Sequence, residues 1–306
     1  MLGAQFVFPP PLKATARPRR SALRAKAGRF GSGFFVLFVC FVVPIVSADP
    51  APEGDAELLA RVGTSVERYY ARAQTIVATE TVTVEPVSRR LKPEGPARKV
   101  VNEMRIEWDA QVGSEPRAVR ELVSATGPRR GPAGQPDCLD PRSFTIEPLG
   151  LLLPANRDKF RFSIGRLETL SGVRARRIDY VPRMPGPPRT RWDGKCGWVD
   201  TFGRTRGSVW VDPATGDVLR FSERLSGNVD LPGPAGDPNA PRFVAERADT
   251  SIEYKKVAFV DPDETLLLPS RVESITFIRN SGVPRARVIR TFTDYRRFLT
   301  TGRIRP

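Results

Sequence analysis

The chain has 306 residues, 49 Lys plus Arg against 34 Asp plus Glu, and no histidine. The missing residue excludes Ser-His-Asp and Cys-His catalysis in their ordinary forms, and removes the commonest metal ligand. Zinc hydrolase sites with histidine ligands are excluded with it.

Residues 1–33 carry seven basic residues (Lys13, Arg17, Arg19, Arg20, Arg24, Lys26 and Arg29) and no acidic ones. The Arg19-Arg20 pair is compatible with a twin-arginine route. Phe34 to Val46 is an unbroken apolar run closed by Val46-Ser47-Ala48. This order of basic arm, short apolar core and small-residue cleavage site predicts a signal peptide over residues 1–48. An uncleaved anchor is the alternative. The run is shorter than the roughly 20 residues that span a bilayer, so no transmembrane span is expected in the mature chain. Periplasmic or secreted localisation follows. With the seven leader cations removed, 42 basic residues remain against 34 acidic ones. Much of that basicity alternates with apolar residues, as in Arg285-Ala286-Arg287-Val288-Ile289-Arg290, which reads as the solvated face of a strand. Neither clustering nor a recognisable module indicates nucleic acid.

Of three cysteines, Cys40 lies within the leader, and Cys138 and Cys196 remain. An even pair in an oxidising compartment predicts a disulfide between them. No C-x-x-C spacing suggests redox work.

Along residues 49–306 one domain is expected. Leu58, Leu59, Val62, Val66, Tyr69, Tyr70 and Ala73 recur at helical spacings and predict a helix over 56–74. Period-two signals then predict strands over 76–84, 100–108 and 117–126. A Pro/Gly-rich insertion near 127–141 precedes a short helix or buried turn over 146–155. Strands follow over 159–167 and 173–181, then a second Pro-rich stretch near 182–188. Ser208 to Asp212 and Asp217 to Leu225 flank Pro213-Ala214-Thr215-Gly216, a hairpin with Asp, Pro and Gly in turn positions. A third Pro/Gly-rich loop near 227–241 leads to strands over 250–260, 269–279 and 284–298. The last two are joined at Asn280-Ser281-Gly282. The expected architecture is mainly β (α+β). About nine antiparallel strands form an open half-barrel wrapped around one or two helices, or close into a barrel.

Little chemistry stands out. Asp261-Pro262-Asp263-Glu264 fails as a calcium loop, since Thr265 and Leu266 stand where an oxygen ligand and glycine are needed; it reads as an acidic turn. Gly194-Lys195-Cys196-Gly197 lacks the upstream glycine and the following Ser or Thr of a phosphate loop. No metal site and no cofactor is expected. The late strands carry Trp210, Phe221, Tyr254, Phe259, Phe277 and Phe292, which form either ordinary core or an apolar concave face for an acyl chain.

Taken in order, the amphipathic helix, the Thr/Val strands, Phe162-Ser163-Ile164 and Leu170 to Tyr180 make a familiar series. Val209 to Gly216, Leu268-Pro269-Ser270-Arg271 and Phe292 to Phe298 complete it. The series resembles the superfamily of the outer-membrane lipoprotein carrier protein, with its relatives the periplasmic regulators that bind anti-sigma factors. The resemblance implies an open half-barrel and noncatalytic binding of lipid or lipoprotein acyl chains in the cell envelope. The alternative is a protein-interaction or sensing module of the same fold without a lipid ligand. The implied partners are an apolar or lipidated ligand and an envelope protein. A histidine-free hydrolase is the third reading.

Overall fold

The computed structural model describes residues 54–73, 75–107, 117–127, 148–193, 196–201, 203–231, 242–280 and 285–297, together with Phe6–Phe8. Most of the predicted leader and Cys138 lie outside the described residues, and with Cys138 goes its pairing with Cys196.

Helix α1 spans Asp55–Ala73, with Asp55 and Glu57 in its first turn and Arg72 in its last. Those charges complement the helix dipole. Leu58, Val62, Val66, Tyr70 and Ala73 form its buried stripe. The strands are β1 (Phe6–Phe8), β2 (Ile76–Pro86), β3 (Arg98–Glu107), β4 (Arg117–Thr126), β5 (Phe160–Leu170), β6 (Val173–Pro182), β7 (Arg189–Asp193), β8 (Cys196–Asp200), β9 (Thr205–Val211), β10 (Val218–Leu225), β11 (Val229–Leu231), β12 (Phe243–Val260), β13 (Asp263–Arg279) and β14 (Ala286–Arg297). Two 3-10 turns, Pro148–Leu152 and Pro154–Lys159, precede β5.

Eleven strands form one open antiparallel sheet in the order β4-β3-β2-β14-β13-β12-β10-β9-β6-β5, with β11 paired to β12. β1, β8 and β7 make a separate three-stranded sheet. The main sheet thus has more strands than the nine expected. β12 and β13 are also longer than expected, because they pair continuously from Val244–Arg279 to Val260–Asp263. Pro269 sits at the bulge in that ladder, opposite Tyr254, where its missing N–H interrupts the pairing least.

The inner face of the sheet packs on α1 and the first 3-10 turn. Ile178, Val209, Phe221, Ile252, Val272 and Phe292, one from each of six strands, meet Val62, Val66, Tyr70 and Leu152. Strand alternation buries Ile76, Ala78, Glu80, Val82 and Val84 of β2 in the same phase.

The Asp212–Asp217 turn fastens α1 to this sheet. The Asp212 carboxylate accepts from the Ala214 N–H at 2.8 Å, and the Ser65 hydroxyl donates to the Asp217 carboxylate at 2.5 Å. The Arg61 guanidinium donates to the Pro213 carbonyl at 2.5 Å. Gly216 has φ +76°, and a Cβ there would lie 2.8 Å from the Arg61 backbone of α1. Both facts demand glycine. The clearest hairpin motif in the sequence is therefore also the helix's anchor.

On β14 the expected solvated arginine face is corrected at one position. Arg290 shares its phase with Ala286, Val288 and Phe292 and is only 2 % exposed, so it points inward. Arg287, one of the arginines out of phase with it, meets Glu85 at 3.6 Å and Glu273 at 3.2 Å on the outer face.

Candidate functional site

Three arrangements on the inner side have chemistry of their own. The first is a cleft of about 130 Å³ between α1 and the β12–β13 arm. Val66, Tyr69, Leu149, Val218, Tyr254 and Leu266 supply its apolar lining, with Arg68 and Arg72 also on its wall. Tyr69 packs edge-on to Tyr254 with centroids 6.5 Å apart, and lies 5.4 Å from Tyr70. The Tyr295 hydroxyl donates to the carbonyl of Pro269, the residue opposite Tyr254. Glu264 pairs with Arg297 and lies 3.5 Å from Arg72, which fixes the arm's turn beside the end of the helix. The site offers apolar walls, phenol rings and guanidiniums. Ser65 and Asp217 also line it, and their hydroxyl–carboxylate hydrogen bond at 2.5 Å is the one that ties α1 to the Asp212–Asp217 turn.

The second is a buried charge network. Glu80 is fully buried and accepts from Arg120 Nε at 2.6 Å, Arg120 Nη2 at 3.2 Å and Asn102 Nδ2 at 3.1 Å. Arg290 Nε lies 3.7 Å from Glu80. Burial pushes the Arg290 guanidinium down to about 10; Glu80 opposes the shift and Arg120 adds to it. Two guanidiniums and one carboxylate are thus held inside the half-barrel beside an amide.

The third centres on Tyr180. Its hydroxyl donates to Glu223 at 2.6 Å, its ring stacks on Phe221 at 5.9 Å, and Phe160 meets it edge-on. Gly207 lies between them in the ladder, and a Cβ there would come within 2.6 Å of the Tyr180 hydroxyl. Glycine therefore opens the path by which Tyr180 reaches Glu223. Burial raises the Glu223 carboxyl above 4.5, while hydroxyls of Tyr180 and Thr205 pull it back. Burial also raises the Tyr180 phenol, with Glu223 adding to the shift.

The folded protein consequently holds the Glu223 proton over a pH range in which the unfolded chain has released it. This group's contribution to stability is fully present below about 4.5 and is lost as pH rises through the elevated value. Glu223→Gln keeps an acceptor for Tyr180 and removes the ionisation. Its melting temperature is expected to exceed wild type near about pH 7, with the gap closing as pH falls toward about 4. A constant gap between the two melting curves would contradict this account.

The six aromatic residues singled out from the sequence do not share one surface. Phe221 and Phe292 lie in the main core beneath α1. Tyr254 borders that core and lines the cleft. Phe259 packs with Ile76, Leu266 and Leu268 at the arm. Phe277 joins Ile275 and Val87 in a separate small cluster, with Arg247 and Arg285 near its ring. Trp210 alternates with buried Val209 and Val211 and faces outward; Arg177 and Arg220 lie over its ring at 5.8 and 5.3 Å, and Glu168 accepts from its indole N–H.

Among the described residues no group of three acidic or cysteine side chains is placed to hold a metal ion, and no helix is long and apolar enough to cross a membrane. The Glu80 network was not anticipated from the sequence. Its signal was present, since Glu80, Asn102 and Arg290 each occupy the apolar phase of their strands.

No protein family and no curated protein matches the chain. Solved structures similar to it include a domain from Vibrio parahaemolyticus described as outer membrane lipoprotein-sorting. That domain is 12 % identical, with 80 % of this chain and 94 % of that one covered and a TM-score of 0.36. A DUF1329 family protein from Desulfovibrio piger is 6 % identical over 80 % of this chain and 92 % of that one, with a TM-score of 0.37. A LolA superfamily protein from Nitrosomonas europaea is 8 % identical over 79 % and 93 %, with a TM-score of 0.28. The likeness to these structures is distant and assigns neither ligand nor partner.

Proposed function

We propose that this protein is an exported, noncatalytic binding protein of the cell envelope that takes the end of a lipid or lipoprotein acyl chain in the cleft beside Tyr254. In this reading residues 1–48 are its leader, the remainder is one periplasmic or secreted domain, and Cys138 joins Cys196. The observation that carries it is the cleft itself. Val66, Leu149, Val218 and Leu266 offer apolar walls, and Arg68 and Arg72 on the same wall offer guanidiniums to pair with an anionic headgroup. A volume of about 130 Å³ suits a short apolar segment and not a whole lipid. Deeper entry requires α1 to lift from Phe221 and Phe292.

A second reading is an interaction module of the same fold with no lipid ligand. It is favoured by the closure of the inner face, where Phe221 is 0 % and Phe292 1 % exposed under the protein's own helix. The test is titration of the full chain with a fluorescent fatty acid, alongside lipid analysis of the purified protein by native mass spectrometry. Saturable binding that Tyr254→Asp weakens at least about tenfold, while outward-facing Trp210→Ala leaves it unchanged, supports acyl binding. Probe binding that is absent, or equal in Tyr254→Asp, rejects it and leaves the interaction module.

A further inference from the structure

The outer face of the sheet divides into two halves with different charge balance. On β12–β14 the arginines are matched: Arg247 meets Asp249 at 2.5 Å, Arg271 meets Glu273 at 3.1 Å, Arg279 meets Glu246 at 3.4 Å and Arg287 meets Glu85 at 3.6 Å. On β5, β6, β9 and β10 Arg177 meets Asp179 at 2.8 Å, but three others are not matched. Arg206 and Arg224 stand directly opposite each other in the β9–β10 ladder, and Arg161 stands opposite Val181 in the β5–β6 ladder. All three arginines are exposed, and none has a carboxylate within 4 Å among the described residues. Asp249, the nearest acid in register beyond Arg224, is already taken by Arg247. Like charges directly opposite on neighbouring strands are destabilising, so this row costs the isolated protein stability.

Exposed aliphatic side chains accompany the row. Val181 is 38 % exposed between β5 and β9, and Met184, two residues past β6, is 81 % exposed. The Met184 carbonyl would lie 2.9 Å from a Cβ on Gly203, which places it beside the start of β9. Guanidiniums bind phosphate oxygens in a planar, two-pronged way. A valine beside them and an unbranched thioether in the adjoining segment suit the headgroup–acyl boundary.

We infer that the outer face around Arg161, Arg206, Arg224, Val181 and Met184 docks on an anionic lipid bilayer. The combination favours a bilayer over an acidic polymer, because an acidic polymer gains nothing from a bared valine and methionine while an interfacial site does. The docking surface lies on the opposite side of the sheet from α1, so it is independent of the cleft.

Amide hydrogen exchange of the full chain tests this, because it locates the contact whatever the basic N-terminal arm does. Vesicles of phosphatidylcholine with about 30 % phosphatidylglycerol are expected to slow exchange at 181–186 and 204–206, and vesicles of phosphatidylcholine alone are not. Arg206→Gln with Arg224→Gln is expected to weaken docking about 30-fold and to lose that protection at lipid concentrations that protect wild type. Arg271→Gln with Arg287→Gln removes the same charge from the matched half and is expected to keep it. Melting curves establish that each variant is folded. Protection confined to other segments, protection equally strong on neutral vesicles, or protection surviving Arg206→Gln/Arg224→Gln would overturn the inference. Protection at these residues by polyglutamate but not by vesicles would also overturn it, and would assign the surface to an acidic protein.

Discussion

Glu80→Ala is expected to lower the unfolding free energy by about 3–5 kcal/mol, the range for breaking a buried ion pair by removing one partner. The carboxylate is fully buried and is the counter-ion shared by Arg120, whose side chain is 1 % exposed, and Arg290, at 2 %. Its loss leaves two cations inside the half-barrel and strips the Asn102 amide of its acceptor. Urea denaturation followed by fluorescence is the measurement. The control is Glu103→Ala on β3, whose partner Arg296 lies 2.7 Å away with both side chains about half exposed. That variant is expected to move stability by no more than about 1 kcal/mol. Equal, small losses in both would mean that desolvation of the buried network cancels its attraction.

Phe221→Ala is expected to cost about 3–5 kcal/mol, as for other large-to-small changes at fully enclosed aromatic positions. The ring has no exposed surface, stacks on Tyr180 and lies under α1. Trp210→Ala, one strand away on the outer face, is expected to cost clearly less, because its ring is only half-buried and its neighbours there are two solvated guanidiniums and Glu168. The pair separates packing from ligand contact. If Phe221→Ala retained wild-type stability and lost acyl binding, the ring would belong to a binding surface and not to the core.

The strands that were legible in the sequence are those whose apolar phase is clean. β2 alternates Ile76, Ala78, Val82 and Val84 with Thr and Glu, and its burial follows that phase throughout. Trp210 illustrates the opposite case. In Ser208-Val209-Trp210-Val211 three apolar residues run together, so periodicity cannot say which face is buried, and the structure buries the valines. Residues 243–249 and 263–268 hid the long arm because Arg, Glu and Asp interrupt the first, and the second reads as an acidic turn running into three leucines before Pro269. Their pairing is decided by the partner strand and by a bulge at the proline, neither of which leaves a local mark. The buried network was overlooked for a different reason. Charged residues are so seldom enclosed that composition argues against placing them inside, yet Glu80, Asn102 and Arg290 each stand between apolar residues of the same phase on three strands adjacent in the sheet. Polar residues in the wrong phase on several strands at once are the better signal. The cleft beside Tyr254 left no such mark, since its walls come from α1, the first 3-10 turn and the arm, which are distant in sequence.

The sheet order also dictates when the domain can be finished. β2 has β3 on one side and β14 on the other, with Thr81 opposite Thr291, about 200 residues further along the chain. The strands from β5 to β13 can zip in sequence as they emerge, each against its predecessor or a near neighbour in the chain. The β2–β3–β4 segment has no place in the sheet until β14, the final strand described, is available to join the two parts. Closing so long a loop is an entropic barrier that only the completed ladder repays. Folding should therefore be dominated by one late, long-range step, and a chain shortened before β14 should remain two disconnected pieces of sheet.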